Sequence, residues 1–192
     1  MNYLAHAYLS FNNQDILIGN MIADYVKGKQ IESFSKPIQR GIMLHRNIDE
    51  FTDKHPVVKE TKIIYREAAG RYDGSFLDIT FDHFLALDQK EEPQEGWLNF
   101  TLGCYNTIDK NLSGLPQDFI WFYHHMKEEN WLYNYRYRWL IEKNFSRFSK
   151  HIKYLPDNAP VYQAFIENYE KLRKGYQDFF PELKDFVKQS IQ

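Results

Sequence analysis

His45 and Asp49 stand one helical turn apart, a spacing that puts an imidazole and a carboxylate side by side on one helix face. Asp78, Asp82 and His83 bring the same residue types together further along. Such groups can hold a divalent cation, act as acid and base, or simply pair in a core. Spacing alone decides little. With 7 His and 26 acids in 192 residues, chance supplies about one such pair. The face that each residue occupies is more informative.

The segment from Ser35 to about Asp53 reads as a helix. At about 100° per residue, Ile38, Ile42, Leu44, Ile48 and Phe51 form a broad apolar arc. His45, Asp49 and Thr52 fall inside it, whereas Arg46, Asn47 and Glu50 fall outside. A lone charge turned toward a core is costly. The pair is therefore either a buried structural hydrogen bond or two metal ligands, with Asp53 one turn further on at the edge of the arc. In a second such helix His83 lies among Phe76, Ile79, Phe84 and Leu87, while Asp78 and Asp82 share a narrow polar side. Residues 75–88 contain no Lys or Arg. Solvated stripes usually mix signs, so an all-Asp stripe beside a core His points to a cation. The segment 14–28 is apolar around most of its circumference, and its stripe of Asn20, Asp24 and Lys27 should line a cavity. A short first helix turns Asn2, His6 and Ser10 to one side. Imidazole and carboxylate without thiol suit Mn, Fe, Mg or Zn, with manganese favoured as oxygen ligands increase. His55, His124, His125 and His151 read as cap or packing residues, and no Gly-rich phosphate loop is present.

The elements that must position these groups are helical. Leu and Ile number 32 against 10 for Val and Thr, a balance that disfavours sheet. Asn2, Asn13, Ser35 and Pro56 mark helix starts, Gly28 and Gly70 mark stops, and Ser75-Phe76-Leu77-Asp78 reads as a capping box. Pro116, Asp157 and Pro181 mark later starts, and 90–96 is the clearest loop. The expectation is one all-α domain over residues 1–192, with eight to ten helices. Lys plus Arg number 24 and Asp plus Glu 26, a net charge of −2, which gives no bulk signal for nucleic acid. The lone Cys104 excludes an intramolecular disulfide and a Cys-based zinc site. No apolar run reaches the ~18 residues of a membrane span, and the start lacks the basic flank of a signal peptide. A reduced, cytoplasmic setting is expected, with no nucleic-acid or membrane partner and no indication of oligomeric state.

Four segments carry a resemblance. Asn2-Tyr3-Leu4-Ala5-His6, Gly19-Asn20-x-x-Ala23-Asp24-x-x-x-Gly28, Gly41-x-x-x-His45-Arg46-x-Ile48-Asp49-x-x-Thr52-Asp53 and Leu77-Asp78-x-x-x-Asp82-His83-Phe84-Leu85 resemble, in order and spacing, the acyl carrier protein phosphodiesterase family. The motifs span about residues 1–88. The resemblance implies a bacterial enzyme distantly related to HD-domain phosphohydrolases, an HD-like helical bundle with added C-terminal helices. It implies dependence on Mn²⁺, with Mg²⁺ or Fe²⁺ as alternatives. The substrate would be holo-acyl carrier protein, cut at the phosphodiester between phosphopantetheine and a serine to give the apo carrier and 4′-phosphopantetheine. Under that reading Asp24, His45, Asp49, Asp82 and His83 supply the metal ligands. His6 donates a proton to the departing serine oxygen, and Asp78 or Asp53 orients a ligating His. HD-domain enzymes carry a His-Asp dipeptide, which here is reversed as Asp82-His83, so their ligand roles do not transfer directly. The competing readings are a phosphohydrolase of another small phosphoester or nucleotide, and a non-enzymatic helical adaptor.

Acyl carrier proteins are acidic, so the resemblance also calls for a basic docking surface. Arg136, Arg138, Lys143, Arg147, Lys150 and Lys153 form a one-sided run broken only by Glu142. Trp139, Phe145 and Phe148 are placed to seat a carrier helix.

Overall fold

The computed structural model of the chain describes residues 1–152, 155 and 159–191, and every regular element among them is a helix. In chain order these are α1 (Tyr3–Tyr8), α2 (Gln14–Ile22), α3 (Lys36–Lys54), α4 (Pro56–Thr61), α5 (Arg66–Ala69), α6 (Asp73–Leu87), α7 (Gly96–Asp109), α8 (Gln117–Glu128), α9 (Trp131–Asn134), α10 (Arg138–His151), α11 (Val161–Glu167) and α12 (Tyr169–Ile191). Two caps are as the sequence predicts. The Asn2 carboxamide accepts from the Tyr3 N–H at 2.8 Å, and that of Asn13 accepts from the Ile16 N–H at 3.1 Å.

More helical segments appear than expected because two predicted lengths break. The first ends at Ile22, then continues as 3₁₀ turns over Ala23–Tyr25 and Gly28–Ser33. Between Pro56 and Gly70 the chain passes from α4 through a 3₁₀ turn at Lys62–Tyr65 to α5. That stretch holds the β-branched Val57, Val58, Thr61, Ile63 and Ile64, which disfavour a continuous α-helix. The expected capping box at Ser75 is replaced by a start two residues earlier, where the Asp73 carboxylate accepts from the Gly74 N–H at 2.7 Å. Pro181 opens no helix; it lies inside α12, which persists because Phe179, Phe180, Leu183 and Val187 are buried around it. The predicted start at Asp157 lies outside the described residues.

The buried apolar side chains form one core cluster, with α6 at its centre and buried on nearly all sides. Against it pack α1, α10, α12 and the Lys62–Tyr65 turn. The closest helix pair is α2 with α3. A Cβ on Gly19 would fall 2.3 Å from the Ile38 carbonyl oxygen, and one on Gly41 would fall 2.5 Å from that of Ile16. Only glycine permits this approach, which brings Asn20 and Asp24 against His45.

Candidate active site

The three helices that begin the chain converge on one group of side chains. His6 of α1 and His45 of α3 stack with ring centroids 3.8 Å apart and planes inclined by 13°. Both point an Nε2 at Asp49, which lies 3.3 Å from His6 and 3.1 Å from His45. Asp24, on the Ala23–Tyr25 turn, approaches His45 Nε2 at 3.3 Å from the solvent side. The Nδ1–H of His45 donates to the Asn20 carbonyl at 2.8 Å. That bond fixes the tautomer and leaves Nε2 for a cation or a proton. The Asn20 amide in turn donates to the His6 carbonyl at 3.1 Å and to the Ser10 hydroxyl at 2.8 Å, so α1, α2 and α3 are tied together directly behind the imidazoles.

Electrostatics separate the two histidines. Burial and the neighbouring His45 lower His6 to about 4, so it is neutral near pH 7. Burial opposes charge on His45 as well, but Asp24 and Asp49 outweigh it and raise that ring to about 9. Hydrogen bonds from both imidazoles overcome burial at Asp49 and push its carboxyl far below the usual range. Ligating atoms of His6, His45 and Asp49 lie within 4.8 Å of one another. Two imidazole nitrogens and a carboxylate, with a second carboxylate at the rim, form a donor set that fits a first-row divalent cation.

A pocket of about 370 Å³ opens over this cluster. Asp53 and Asp78 line it as well. Asp78 lies 3.0 Å from the Met1 α-amino group, which is also 3.7 Å from Asp49. Burial raises the Asp78 carboxyl against the pull of that ammonium.

Two expected ligands lie elsewhere. Asp82 is fully buried beneath α1, where its oxygens accept from the backbone N–H groups of Leu4 at 2.7 Å, Asn2 at 3.2 Å and Ala5 at 3.3 Å. Its lone pairs are committed to the start of a helix. His83 points the other way; its Nδ1–H donates to the Tyr135 carbonyl at 2.7 Å and its Nε2 accepts from the Tyr169 hydroxyl at 2.9 Å. Both ring nitrogens are occupied, so the placement of His83 at the cation is corrected. Adjacent helical residues point about 100° apart, and neither direction from α6 reaches the pocket. His6, expected as a proton donor, is buried with its Nε2 3.3 Å from Asp49, among the atoms that could hold a cation.

The basic run divides in a similar way. Arg147 makes a paired contact with Glu129 at 2.8 and 2.6 Å, and Lys143 reaches the same carboxylate at 3.1 Å. Arg147 foremost, and then Lys143 and Trp131, hold Glu129 at about 2 in spite of burial. Arg136 donates to the Ala86 carbonyl at 3.1 Å and to the Tyr133 hydroxyl at 2.9 Å. Arg138 and Lys150 are exposed, with Arg138 over the Tyr169 ring at 4.2 Å. Lys153 lies outside the described residues. Glu129 precedes the run in sequence, so counting charges within the run did not include it.

Lys62, Arg71 and Ser75 also line the pocket. Helical periodicity does not single out Lys62 and Arg71, since both sit on 3₁₀ turns.

Fold and site together define an all-α protein with a histidine–carboxylate centre at the floor of an open pocket. Residues 1–183 match the family described as acyl carrier protein phosphodiesterase, and the chain belongs to that family. Similar proteins bearing that name come from Escherichia coli O6:H1 (29% identical over 186 residues, 96% of each chain) and from Serratia proteamaculans (29% over 189 residues, 98% of each). One from an Enterobacter species is 28% identical over 184 residues, 95% of each chain. No solved structure matches the chain significantly.

Proposed function

We propose that this chain hydrolyses the phosphodiester joining phosphopantetheine to a serine of holo-acyl carrier protein, releasing the apo carrier and 4′-phosphopantetheine. The observation that carries this reading is the joint approach of His6, His45 and Asp49 in an open pocket, within a chain of this family. The three residues, with Asp24 at the rim, are the ones we assign to a divalent cation. Two imidazoles weigh toward Mn²⁺ or Fe²⁺ over Mg²⁺, which prefers oxygen donors. When bound, such an ion supplies charge neutralisation and an acidified water. The chain's own part is to hold those ligands rigidly. Asn20 fixes the His45 tautomer. Asp78 and Asp53, on the pocket wall, are the groups available to exchange a proton with water or with the departing serine oxygen.

No helix among the described residues is long and apolar enough to cross a membrane, and a cytoplasmic setting is part of the proposal. Among the described residues, the exposed Arg138 and Lys150 are the cations of the basic run left for an acidic carrier.

The test is turnover of holo-acyl carrier protein against a panel of small phosphodiesters and nucleotides, with Mn²⁺ added and with chelator. Apo carrier formed only with metal supports the reading. Turnover of the small esters alone would replace the substrate, and no metal-dependent hydrolysis of any would remove the enzyme.

A further inference from the structure

The pocket is lined by two unlike sets of side chains. One set is the histidines together with Asp24, Asp49 and Asp78. The same lining includes Lys62, on the turn that follows α4, and Arg71, on the turn that precedes α6. The first turn comes from the stretch where the expected single helix breaks, and Gly70, the expected stop, carries the chain at φ +56° into the second.

The contacts these two cations lack are informative. Five carboxylates line the pocket, those of Asp24, Asp49, Asp53, Asp73 and Asp78. Among the described residues neither Lys62 nor Arg71 pairs with any of them. Elsewhere in the chain Arg66 is bound to Asp73 at 2.5 Å, Lys127 to Asp109 at 2.6 Å and Arg147 to Glu129. Even the pocket's own Asp73 takes its cation from Arg66, outside the pocket, while Arg71 stands nearby. Arg71 is steadied instead by Tyr72. It donates to that hydroxyl at 2.8 Å and lies over the ring at 5.0 Å. These contacts orient the guanidinium while leaving most of its donors free. Lys62 is half-buried with no partner among the described residues.

We propose that Lys62 and Arg71 are substrate-binding residues, which hold the non-bridging phosphoryl oxygens of an anionic phosphoester in the pocket that the histidines also line. The proposal rests on the phosphoesterase reading and names the groups that make the pocket hospitable to an anion. Against the five carboxylates stand the Met1 ammonium, the Arg66 partner of Asp73 and, when bound, one divalent ion, which together still leave one negative charge facing an anionic phosphodiester. Lys62 and Arg71 offset it, and a guanidinium fork suits two phosphoryl oxygens at once.

The experiment uses Lys62→Gln, Arg71→Gln and the double variant, with Lys62→Arg and Arg71→Lys as charge-keeping partners. Lys59→Gln, an exposed α4 lysine outside the pocket, is the control. Inorganic phosphate is titrated calorimetrically into each Mn²⁺-treated protein, and steady-state kinetics are run on holo-acyl carrier protein. Each Gln variant should weaken phosphate binding and raise KM about tenfold, and the double variant should lose about a hundredfold. Lys62→Arg and Arg71→Lys should recover most of it. Lys59→Gln should match the parent, and the Mn²⁺-induced melting shift should be the same in all. Phosphate affinity unchanged in the double variant, an equal loss in Lys59→Gln, or no phosphate binding by the parent would each overturn the proposal. Should the parent fail to turn over the carrier, the substrate reading falls, while the phosphate titration still decides the roles of Lys62 and Arg71.

Discussion

Gly19 and Gly41 meet backbone to backbone where α2 crosses α3, so that a Cβ on Gly19 would fall 2.6 Å from the Cα of Gly41. The same crossing sets the Asn20 carbonyl against His45. Gly41→Ala should therefore separate the helices and tilt the imidazole together. A destabilisation of about 1–3 kcal/mol is expected from overpacking, with activity falling further than the unfolded fraction explains. Denaturant midpoints measured beside turnover at saturating substrate check this, and an unstable variant with parental turnover per folded molecule would contradict it.

Removing a ligand should be visible without any substrate. Metal binding to the folded state stabilises by about 2.7 kcal/mol at a hundredfold excess over Kd, which is about 5–10 °C for a chain of this size. Asp49→Ala and His45→Ala should lose most of that shift and lower kcat by at least about a hundredfold. The Asp24 side chain is 65% exposed, so Asp24→Ala should melt near the parent without metal. Differential scanning calorimetry with Mn²⁺ and with chelator reads all three.

Asp82→Ala should fail for a different reason. It strips the backbone N–H groups of Leu4 and Ala5 in α1, and of Asn2 just before it, of their acceptor inside the protein, at a cost of about 1–3 kcal/mol for each group left unsatisfied. Asp82→Asn keeps one oxygen and should lie between. Amide hydrogen exchange at Leu4 and Ala5 should speed up in both variants before the rest of the core is affected.

His83 should make the fold acid-sensitive. Burial, aided by Arg138 and opposed by the Tyr135 carbonyl, lowers it from 6.5 to about 4. The folded state holds it neutral, whereas the unfolded chain takes up a proton below about 6.5. The stability it confers is whole above that pH and is lost as pH falls toward about 4, on the order of 3 kcal/mol in all. Asp82, raised to about 7 by burial against several opposing hydrogen bonds, titrates in the opposite sense across the same window. The informative quantity is therefore the difference between His83→Gln and its parent. Urea midpoints from pH 7 to 4.5 should fall less steeply in the variant, by about one proton.

In the basic run, stability and docking should separate by residue. Arg147→Glu breaks a paired contact that is partly exposed and should cost up to about 1 kcal/mol, with a modest effect on carrier kinetics. Lys150→Glu should leave the melting point alone while slowing carrier association, with a weaker dependence on salt. Stopped-flow association at several ionic strengths distinguishes the two.

The parts of this protein legible in its sequence are those with a helical period. The α3 arc places His45 and Thr52 inward, and both are buried, whereas Asp49 on the same arc is partly exposed at the pocket. Of the stripe expected to line a cavity, Asp24 does so, Asn20 is fully buried behind the imidazoles, and Lys27 is exposed outside the pocket. Illegible were the directions taken by neighbours on α6, a helix buried nearly all round. There an apolar arc no longer tells one inward direction from another, so Asp82 could be read as facing a cation when it faces a helix end. Lys62 and Arg71 are likewise hidden as pocket residues, because they sit on 3₁₀ turns, where residue spacing carries no face.

The tie between Asp82 and the backbone of α1 also bears on the order of folding. Six residues are too few to hold a helix alone in water, and the carboxylate that anchors α1 lies 78 positions beyond Leu4. A ribosome releases the His6 segment well before α6, and although α2 and α3 then offer it contacts, the backbone N–H groups at its start have no acceptor until α6 has emerged and packed. Long loops of this kind close slowly. The histidine at the chain's beginning should thus be among the last groups to settle, with α2, α3 and α6 collapsing into a scaffold that waits for it. In the refolding protein, metal affinity should appear after most of the helical signal has already returned.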